Sequence, residues 1–119
     1  MSNTAKKIKL EDLKEFCTAA LVHEGMSQEN ARITAEVLAE TDAYGTHSHG
    51  TKNLHGYIKK ARVNALDIKA DPVVIKEGPA FAIIDAQNGM GMVASCNAME
   101  LACDKAKQAG IGIVTVKNS

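Results

Sequence analysis

A change of hydrophobic pattern at Asp71-Pro72 is the feature of this sequence that most constrains its fold. Before this point, apolar residues recur three or four positions apart, which is the spacing of amphipathic helices. After it, short apolar runs rich in β-branched residues alternate with glycine and proline turns, which is typical of strands. The sequence therefore predicts an α+β fold, with a helical region over residues 1–70 and the beginning of an α/β domain over residues 71–119.

Three helices are predicted in the first region. The first is expected over residues 10–23 and carries an apolar stripe of Leu13, Phe16, Cys17, Ala20 and Leu21. The second begins after the N-cap residue Ser27 and ends at Gly45. The third follows Gly50.

The second region is predicted to form two strands, a helix and a third strand. The strands are expected at 73–75 and 81–85, the helix at 92–108, and the last strand after Gly110. This helix is expected to bury a stripe of Met92, Cys96, Met99, Cys103 and Ala106. The three cysteines fit no zinc spacing, so they are expected to be small buried residues of a reducing compartment.

The sequence ends on an apolar strand followed by Lys117-Asn118-Ser119. A buried strand needs backbone partners on both sides. We therefore expect the chain to continue beyond Ser119, and any active site to be divided between these residues and a C-terminal part.

Charge and hydropathy argue against several classes of protein. Lys and Arg number 14, as do Asp and Glu, so the formal net charge is zero and gives no reason to expect nucleic acid or an anionic membrane as a partner. The polar N-terminus has no apolar signal segment, and no apolar run approaches the roughly 20 residues of a membrane span. We expect a cytoplasmic protein.

A glycine-rich segment, Gly89-Met90-Gly91-Met92-Val93-Ala94, matches the pattern G-x-G-x-x-A of dinucleotide-binding loops. Three residues separate it from the end of the preceding strand at Asp85, and that carboxylate would lie near a pyrophosphate. The following strand ends without an acidic residue for a ribose hydroxyl. We interpret the segment as a turn followed by a helix start.

The residues Thr46-His47-Ser48-His49-Gly50 concentrate polar side chains between two predicted helices. Loops of this kind often carry catalytic or binding groups, and imidazole exchanges protons near neutral pH. Two other interpretations remain from the residues alone. His47 and His49 would bind a metal with Asp42 or His55, or Ser48 would simply cap the third helix.

Three segments carry a resemblance to a known family. Residues 42–50 are similar to an Asp-x-x-Gly-x-x-Ser-His-Gly segment, residues 85–92 to an Asp-x-x-x-Gly-x-Gly stretch, and residues 110–119 to a strand that ends in Asn-Ser. Together they resemble the N-terminal part of the type-2 malate/L-lactate dehydrogenase family. Its members include ureidoglycolate, sulfolactate and diketogulonate oxidoreductases.

The resemblance implies an oxidoreductase that uses NAD or NADP and interconverts a small 2-hydroxy acid and a 2-oxo acid. It implies a fold that is not Rossmann-like, a homodimer, and a proton-transferring His shortly after the Asn-Ser pair, beyond Ser119. The residues available to such a site here are the catalytic candidate His49, the substrate-side candidates Ser48, Lys52 and Asn53, and the cofactor-side candidates Asn118 and Ser119. No metal ligand is expected.

Asn53 departs from the family pattern, in which this position is commonly an Arg that holds the substrate carboxylate. An amide can donate a hydrogen bond to a carboxylate, but it cannot form the charged two-pronged contact of a guanidinium. Lys52 is the neighbouring source of positive charge. An alternative function, a small binding module without catalysis, remains open at this point.

Overall fold

The computed structural model describes residues 6–119, so the first five residues of the predicted helical region and of the polar N-terminus lie outside it. The elements are α1 (Leu10–His23), α2 (Gln28–Ala43), α3 (Leu54–Arg62), β1 (Val73–Glu77), β2 (Phe81–Asp85), α4 (Gly91–Ala109) and β3 (Ile113–Lys117). Two short 3-10 turns, His47–His49 and Thr51–Asn53, lead into α3. This order confirms the predicted three helices followed by β-β-α-β.

The three strands form one sheet in the order β1-β2-β3. β1 runs antiparallel to β2, with a register shift between Val74 and Lys76. β3 lies parallel to β2, which α4 makes possible by crossing between them. Since Asp85 lies opposite Lys117, the residues that follow β2 and β3 emerge at the same edge of the sheet.

One apolar core joins the helices to the start of α4. Its buried members are Cys17, Leu21, Met26, Ala31, Ala35, Leu38, Leu54, Ile68, Met90 and Val93. Met90 and Val93 lie beyond residue 70, so apolar side chains from both predicted regions pack together. The division of the chain into domains at residue 70 stays a prediction.

Two predicted stripes are partly wrong. On α1, Phe16 leaves 66% of its surface exposed, and on α4, Met99 leaves 65% and Cys103 is also exposed. α4 instead buries Val93, Ala94 and Ala98, because it approaches both the sheet and α2 and small side chains allow that close contact. Of the three cysteines, which are all free thiols, only Cys17 is fully buried.

No helix within residues 6–119 is both long enough and apolar enough to cross a membrane.

Candidate active site

The loop between α2 and α3 carries the four residues predicted to meet the substrate. α2 ends at Ala43, and Gly45 turns the chain with a positive φ of 86°. Ser48 and His49 then lie in the first 3-10 turn, and Lys52 and Asn53 lie in the second. The side chains of Ser48, His49 and Lys52 are exposed and that of Asn53 is half-buried, so the structure brings all four together on one accessible loop.

The carboxylate of Asp42 stabilises this loop through contacts with two of its residues, Thr51 and His47. Its Oδ2 accepts a hydrogen bond from the backbone N–H of Thr51 at 3.0 Å and a second hydrogen bond from the Thr51 hydroxyl. Its Oδ1 lies 3.4 Å from Nδ1 of His47. The Asp42 side chain is only 17% exposed, and its contacts lie on either side of Ser48 and His49.

The environment of Asp42 keeps this carboxylate charged. Burial raises the pKa of the Asp42 carboxyl, but the hydrogen bonds from the Thr51 hydroxyl and amide, together with His47, outweigh that effect. The net pKa lies below the ordinary value for Asp. Asp42 is thus a fixed acceptor rather than a group poised to exchange a proton near neutral pH.

Ser48 and His49 form a direct pair in which Ser48 Oγ lies 2.8 Å from His49 Nδ1. If the hydroxyl donates to Nδ1, the ring carries its proton on Nε2; if Nδ1–H donates to Oγ, Nε2 is an acceptor. The hydroxyl therefore fixes the orientation of the ring, and the direction of this hydrogen bond decides whether Nε2 carries the proton. This arrangement is suited to receiving or giving a proton at an exposed imidazole nitrogen.

The amide of Asn53 is used within the loop itself. Its Nδ2 donates to the backbone carbonyl of Ser48 at 3.0 Å, which closes the two 3-10 turns against each other. Ser48 does not cap α3, because this helix has Asn53 at its N-cap without a side-chain capping bond and the Ser48 hydroxyl pairs with His49 instead. The interpretation of Ser48 as a helix cap is therefore wrong.

Among the described residues, the side chains considered as metal ligands of this loop do not gather around one point. Across residues 6–119, no three His, Cys, Asp or Glu side chains are grouped closely enough to hold a metal ion. His47 and Asp42 contact each other without a third such group.

Asn118 locks the end of β3 to the turn after β2. Its side-chain Nδ2 donates to Asp85 Oδ1 at 3.0 Å, and its backbone carbonyl accepts the N–H of Asn88 at 2.8 Å. The Asn118 amide is the main cause of a lowered pKa at Asp85, followed by the backbone N–H of Gln87 and by Lys117. Gln87 and Asn88 have positive φ, which confirms the turn predicted before α4.

Ser119 lies at a cavity of about 420 Å3 between α3 and the start of α4. The cavity is lined by Tyr57, Lys60, Ala65, Leu66, Asn88, Gly89, Met90, Gly91, Met92 and Ser119. The Asn118 side chain instead faces Asp85. Of the two predicted cofactor-side residues, only Ser119 therefore lines this space.

Tyr57 and Lys60 are cavity residues that the sequence reasoning missed. The third helix was predicted without a role for either residue. Asn53, Tyr57 and Lys60 are spaced at i, i+4 and i+7, so they share one helix face directly after the Ser-His-Gly residues. This spacing is the signal that would have found them. The helix α3 therefore begins at the loop and lines the cavity with Tyr57 and Lys60.

A groove larger than this cavity contains none of the predicted site residues. It has a volume of about 760 Å3 and runs along α1 and α2. Two cations on its walls form ion pairs, Lys14 with Glu40 and Arg32 with Glu36. Size alone does not place the site there, because the polar groups capable of chemistry converge elsewhere.

Comparison with known proteins establishes the family. The family described as malate/L-lactate dehydrogenase matches residues 8–119. The chain belongs to the malate/L-lactate dehydrogenase family. This confirms the resemblance drawn from the Ser-His-Gly segment and the strand that ends in Asn-Ser.

Individual relatives agree with this family in sequence and in structure. The L-sulfolactate dehydrogenase of Methanocaldococcus jannaschii is 38% identical over 114 residues, which cover 96% of this chain and 31% of the relative. The ureidoglycolate dehydrogenase (NAD(+)) of Escherichia coli K12 is 33% identical over 110 residues, covering 92% and 32%. The structure of malate dehydrogenase from Pyrococcus horikoshii OT3 superimposes with a TM-score of 0.92 at 35% identity, covering 96% of this chain and 33% of that one.

The chain therefore spans about a third of the length of the curated relatives that it matches. These members of the malate/L-lactate dehydrogenase family confirm the α+β fold that was predicted. The roles assigned to His49, Ser48, Lys52, Asn53, Asn118 and Ser119 stay predictions.

Proposed function

We propose that this chain belongs to an NAD- or NADP-dependent oxidoreductase that interconverts a small 2-hydroxy acid and the corresponding 2-oxo acid. The observation that carries the proposal is the family match over residues 8–119. Two relatives are named as dehydrogenases of sulfolactate and malate, which are both 2-hydroxy acids, and a third as an NAD(+)-dependent dehydrogenase of ureidoglycolate.

The loop geometry supports roles for four residues on the substrate side. His49 exchanges or orients a proton at its exposed Nε2, while Ser48 fixes the ring through Nδ1 at 2.8 Å. Lys52 supplies positive charge for the substrate carboxylate from the next turn. Asn53 keeps the loop closed through its bond to the Ser48 carbonyl and has a second N–H to offer to the carboxylate.

The cavity beside Ser119 fits part of a nicotinamide cofactor. Its volume of about 420 Å3 lies within the range of small-molecule sites. Ser119 and Tyr57 bring hydroxyl groups to it, Lys60 brings a cation, and Gly91 brings the start of α4. When bound, the cofactor supplies hydride exchange with the carbinol carbon. Asn118 supports this wall indirectly by fixing the end of β3 against Asp85.

We propose a cytoplasmic homodimer as the working form. The dimer is supported by the family resemblance. The compartment is supported by three free thiols, including Cys103 on the surface, since exposed thiols persist more easily where disulfides do not form.

The test is turnover by the natural full-length protein with a panel of malate, lactate, sulfolactate and ureidoglycolate, each with NAD and with NADP. Substrate-dependent reduction of one cofactor, followed as NAD(P)H absorbance, is the expected result. Light scattering on the same sample gives the assembly state, with a dimer expected. Absence of turnover with every acid, together with no NADH or NADPH binding by calorimetry, would refute the proposal.

A further inference from the structure

We infer that Asp42 is the positioning residue of the candidate active site, whose carboxylate holds Ser48 and His49 in the orientation in which they meet the substrate. This inference rests on the proposed function, because it concerns the same loop. It assigns to Asp42 neither contact with the substrate nor a proton transfer.

The contacts of Asp42 lie on both sides of the Ser48–His49 pair along the loop. His47 precedes the Ser48–His49 pair and Thr51 follows it, and both lie against the one carboxylate of Asp42. The His47 ring is 75% exposed and 3.4 Å away, so that contact is loose. The two bonds from Thr51 are the tight ones, since they include a backbone N–H at 3.0 Å and a short hydroxyl bond.

The charge of Asp42 is unfavourable in its own helix and favourable at the start of the next helical run. Asp42 lies in the last turn of α2, where the helix dipole disfavours a negative charge, and α2 has no basic residue in that turn to compensate. The same carboxylate meets the first N–H of the run that leads into α3, where the dipole favours a negative charge. The charge of Asp42 therefore destabilises the C-terminal turn of α2 and stabilises the start of the run that leads into α3.

Gly50 leaves space that the Asp42 carboxylate occupies. A Cβ at this position would lie 1.8 Å from Asp42 Oδ1 and 2.4 Å from its Cγ. The φ of Gly50 is −93°, which lies outside the left-handed region that favours glycine, and the lack of space for a Cβ is the constraint that the structure shows. Gly50 therefore makes room for the Asp42 carboxylate, and the two positions act as one unit.

The experiment compares Asp42→Asn with a matched control, Asp104→Asn, in the natural full-length protein. Asp104 has an exposed side chain on α4 and pairs only with Lys107 among the described residues. Its replacement therefore removes a similar charge without changing the loop. Misplacement of a catalytic group by about 1 Å can cost about 10²-fold in rate. We expect Asp42→Asn to lower kcat/KM by about that factor, mainly in kcat, and Asp104→Asn to leave it unchanged.

A second pair of variants avoids a change of charge. Thr51→Val removes the hydroxyl bond to Asp42 and keeps the backbone bond, whereas Thr51→Ser keeps both. We expect Thr51→Val to lower kcat/KM at least several-fold and Thr51→Ser to retain most of it, with both proteins folded by circular dichroism. Rescue by Ser separates loss of the hydroxyl bond from a general effect of substitution at position 51.

Hydrogen exchange distinguishes failure of this inference from failure of the proposed function. Asp42→Asn should speed amide exchange over residues 46–53 and leave α1 and α4 protected. If the wild-type protein turns over a 2-hydroxy acid but Asp42→Asn and Thr51→Val behave like Asp104→Asn, the inference is wrong and the function stands. If the wild-type protein turns over no 2-hydroxy acid, both the proposed function and the positioning role of Asp42 are wrong, whatever the exchange rates are.

Discussion

The side-chain amide of Asn53 donates to the backbone carbonyl of Ser48 across 3.0 Å. This bond joins the residue that departs from the family pattern to the residue that orients His49. Asn53 is therefore a clamp within the loop as well as a candidate for contact with the substrate. Replacing Asn53 both removes the bond to the Ser48 carbonyl and changes the group that can contact the substrate. A pair of variants can separate these two effects.

Asn53→Arg should lower KM for 2-oxo acids by about tenfold, because a guanidinium can bind a carboxylate through two charged hydrogen bonds. Asn53→Ala removes the clamp without adding a cation, so it should raise KM. Steady-state kinetics of the natural full-length protein measure both, with melting temperatures recorded beside them. If neither variant changes KM for any acid by more than twofold, Asn53 does not face the substrate.

His49→Ala should lower kcat/KM by about 10²-fold or more, the scale of general acid–base catalysis. The melting temperature should hardly change, because the His49 side chain is exposed and its contact is with Ser48 beside it. His23→Ala is the control, since His23 is an exposed residue at the end of α1 outside the loop. Equal kinetics for the two variants would remove His49 from the site.

The elements of this fold could be predicted because their signals are local. The bounds of α1 and of β2 agree with the sequence prediction, since helical spacing and a β-branched run are each contained within the element. Phe16, Met99 and Cys103 could not be placed correctly. An apolar stripe shows that a helix has a packing face, but the neighbouring elements decide which of several adjacent stripes is covered.

The candidate site was predictable in part for the same reason. Ser48 and His49 stand next to each other in the sequence, so their pairing was within reach. Asp42 was considered only as a metal ligand, because its partner Thr51 is nine residues away and the contact depends on how the loop folds back. The role of Gly50 could not be predicted either, because a glycine in a sequence does not indicate which neighbouring group occupies the space beside its Cα.

Acid should destabilise this protein partly through Asp85. The Asn118 amide, the Gln87 N–H and Lys117 lower the pKa of the Asp85 carboxyl in the folded protein. A lowered folded-state pKa contributes stability that is present above the unfolded value, near 3.8, and is lost as pH falls through the folded one.

Urea unfolding between pH 7 and pH 2 measures this contribution. The free energy of unfolding of Asp85→Asn should fall less steeply with acid than that of the wild type, and its value at pH 7 should be lower. Identical slopes for the two proteins would show that the bond between Asn118 and Asp85 does not form in solution.

Gly50→Ala should destabilise the protein by about 1–3 kcal/mol, the usual cost of forcing an extra methyl group into a filled space. The added Cβ would overlap the Asp42 carboxylate, with Oδ1 only 1.8 Å away. Gly56→Ala is the matched control. A Cβ at Gly56 meets nothing within 4 Å among the described atoms, and it lies inside α3. There the change should be neutral or stabilising by up to about 1 kcal/mol, because alanine favours helix more than glycine does.

The double variant Asp42→Ala/Gly50→Ala decides whether the two positions act as one unit. Once the carboxylate is absent, the methyl group at position 50 has room, so the double variant should lose less stability than the sum of the single variants. Contacting residues typically show such coupling at about 0.5–3 kcal/mol, and independent ones add within about 0.5 kcal/mol. Denaturant midpoints of the four proteins in the cycle give the coupling energy. Strict additivity would mean that Gly50 does not accommodate Asp42, and that the loop holding Ser48 and His49 is fixed by other contacts.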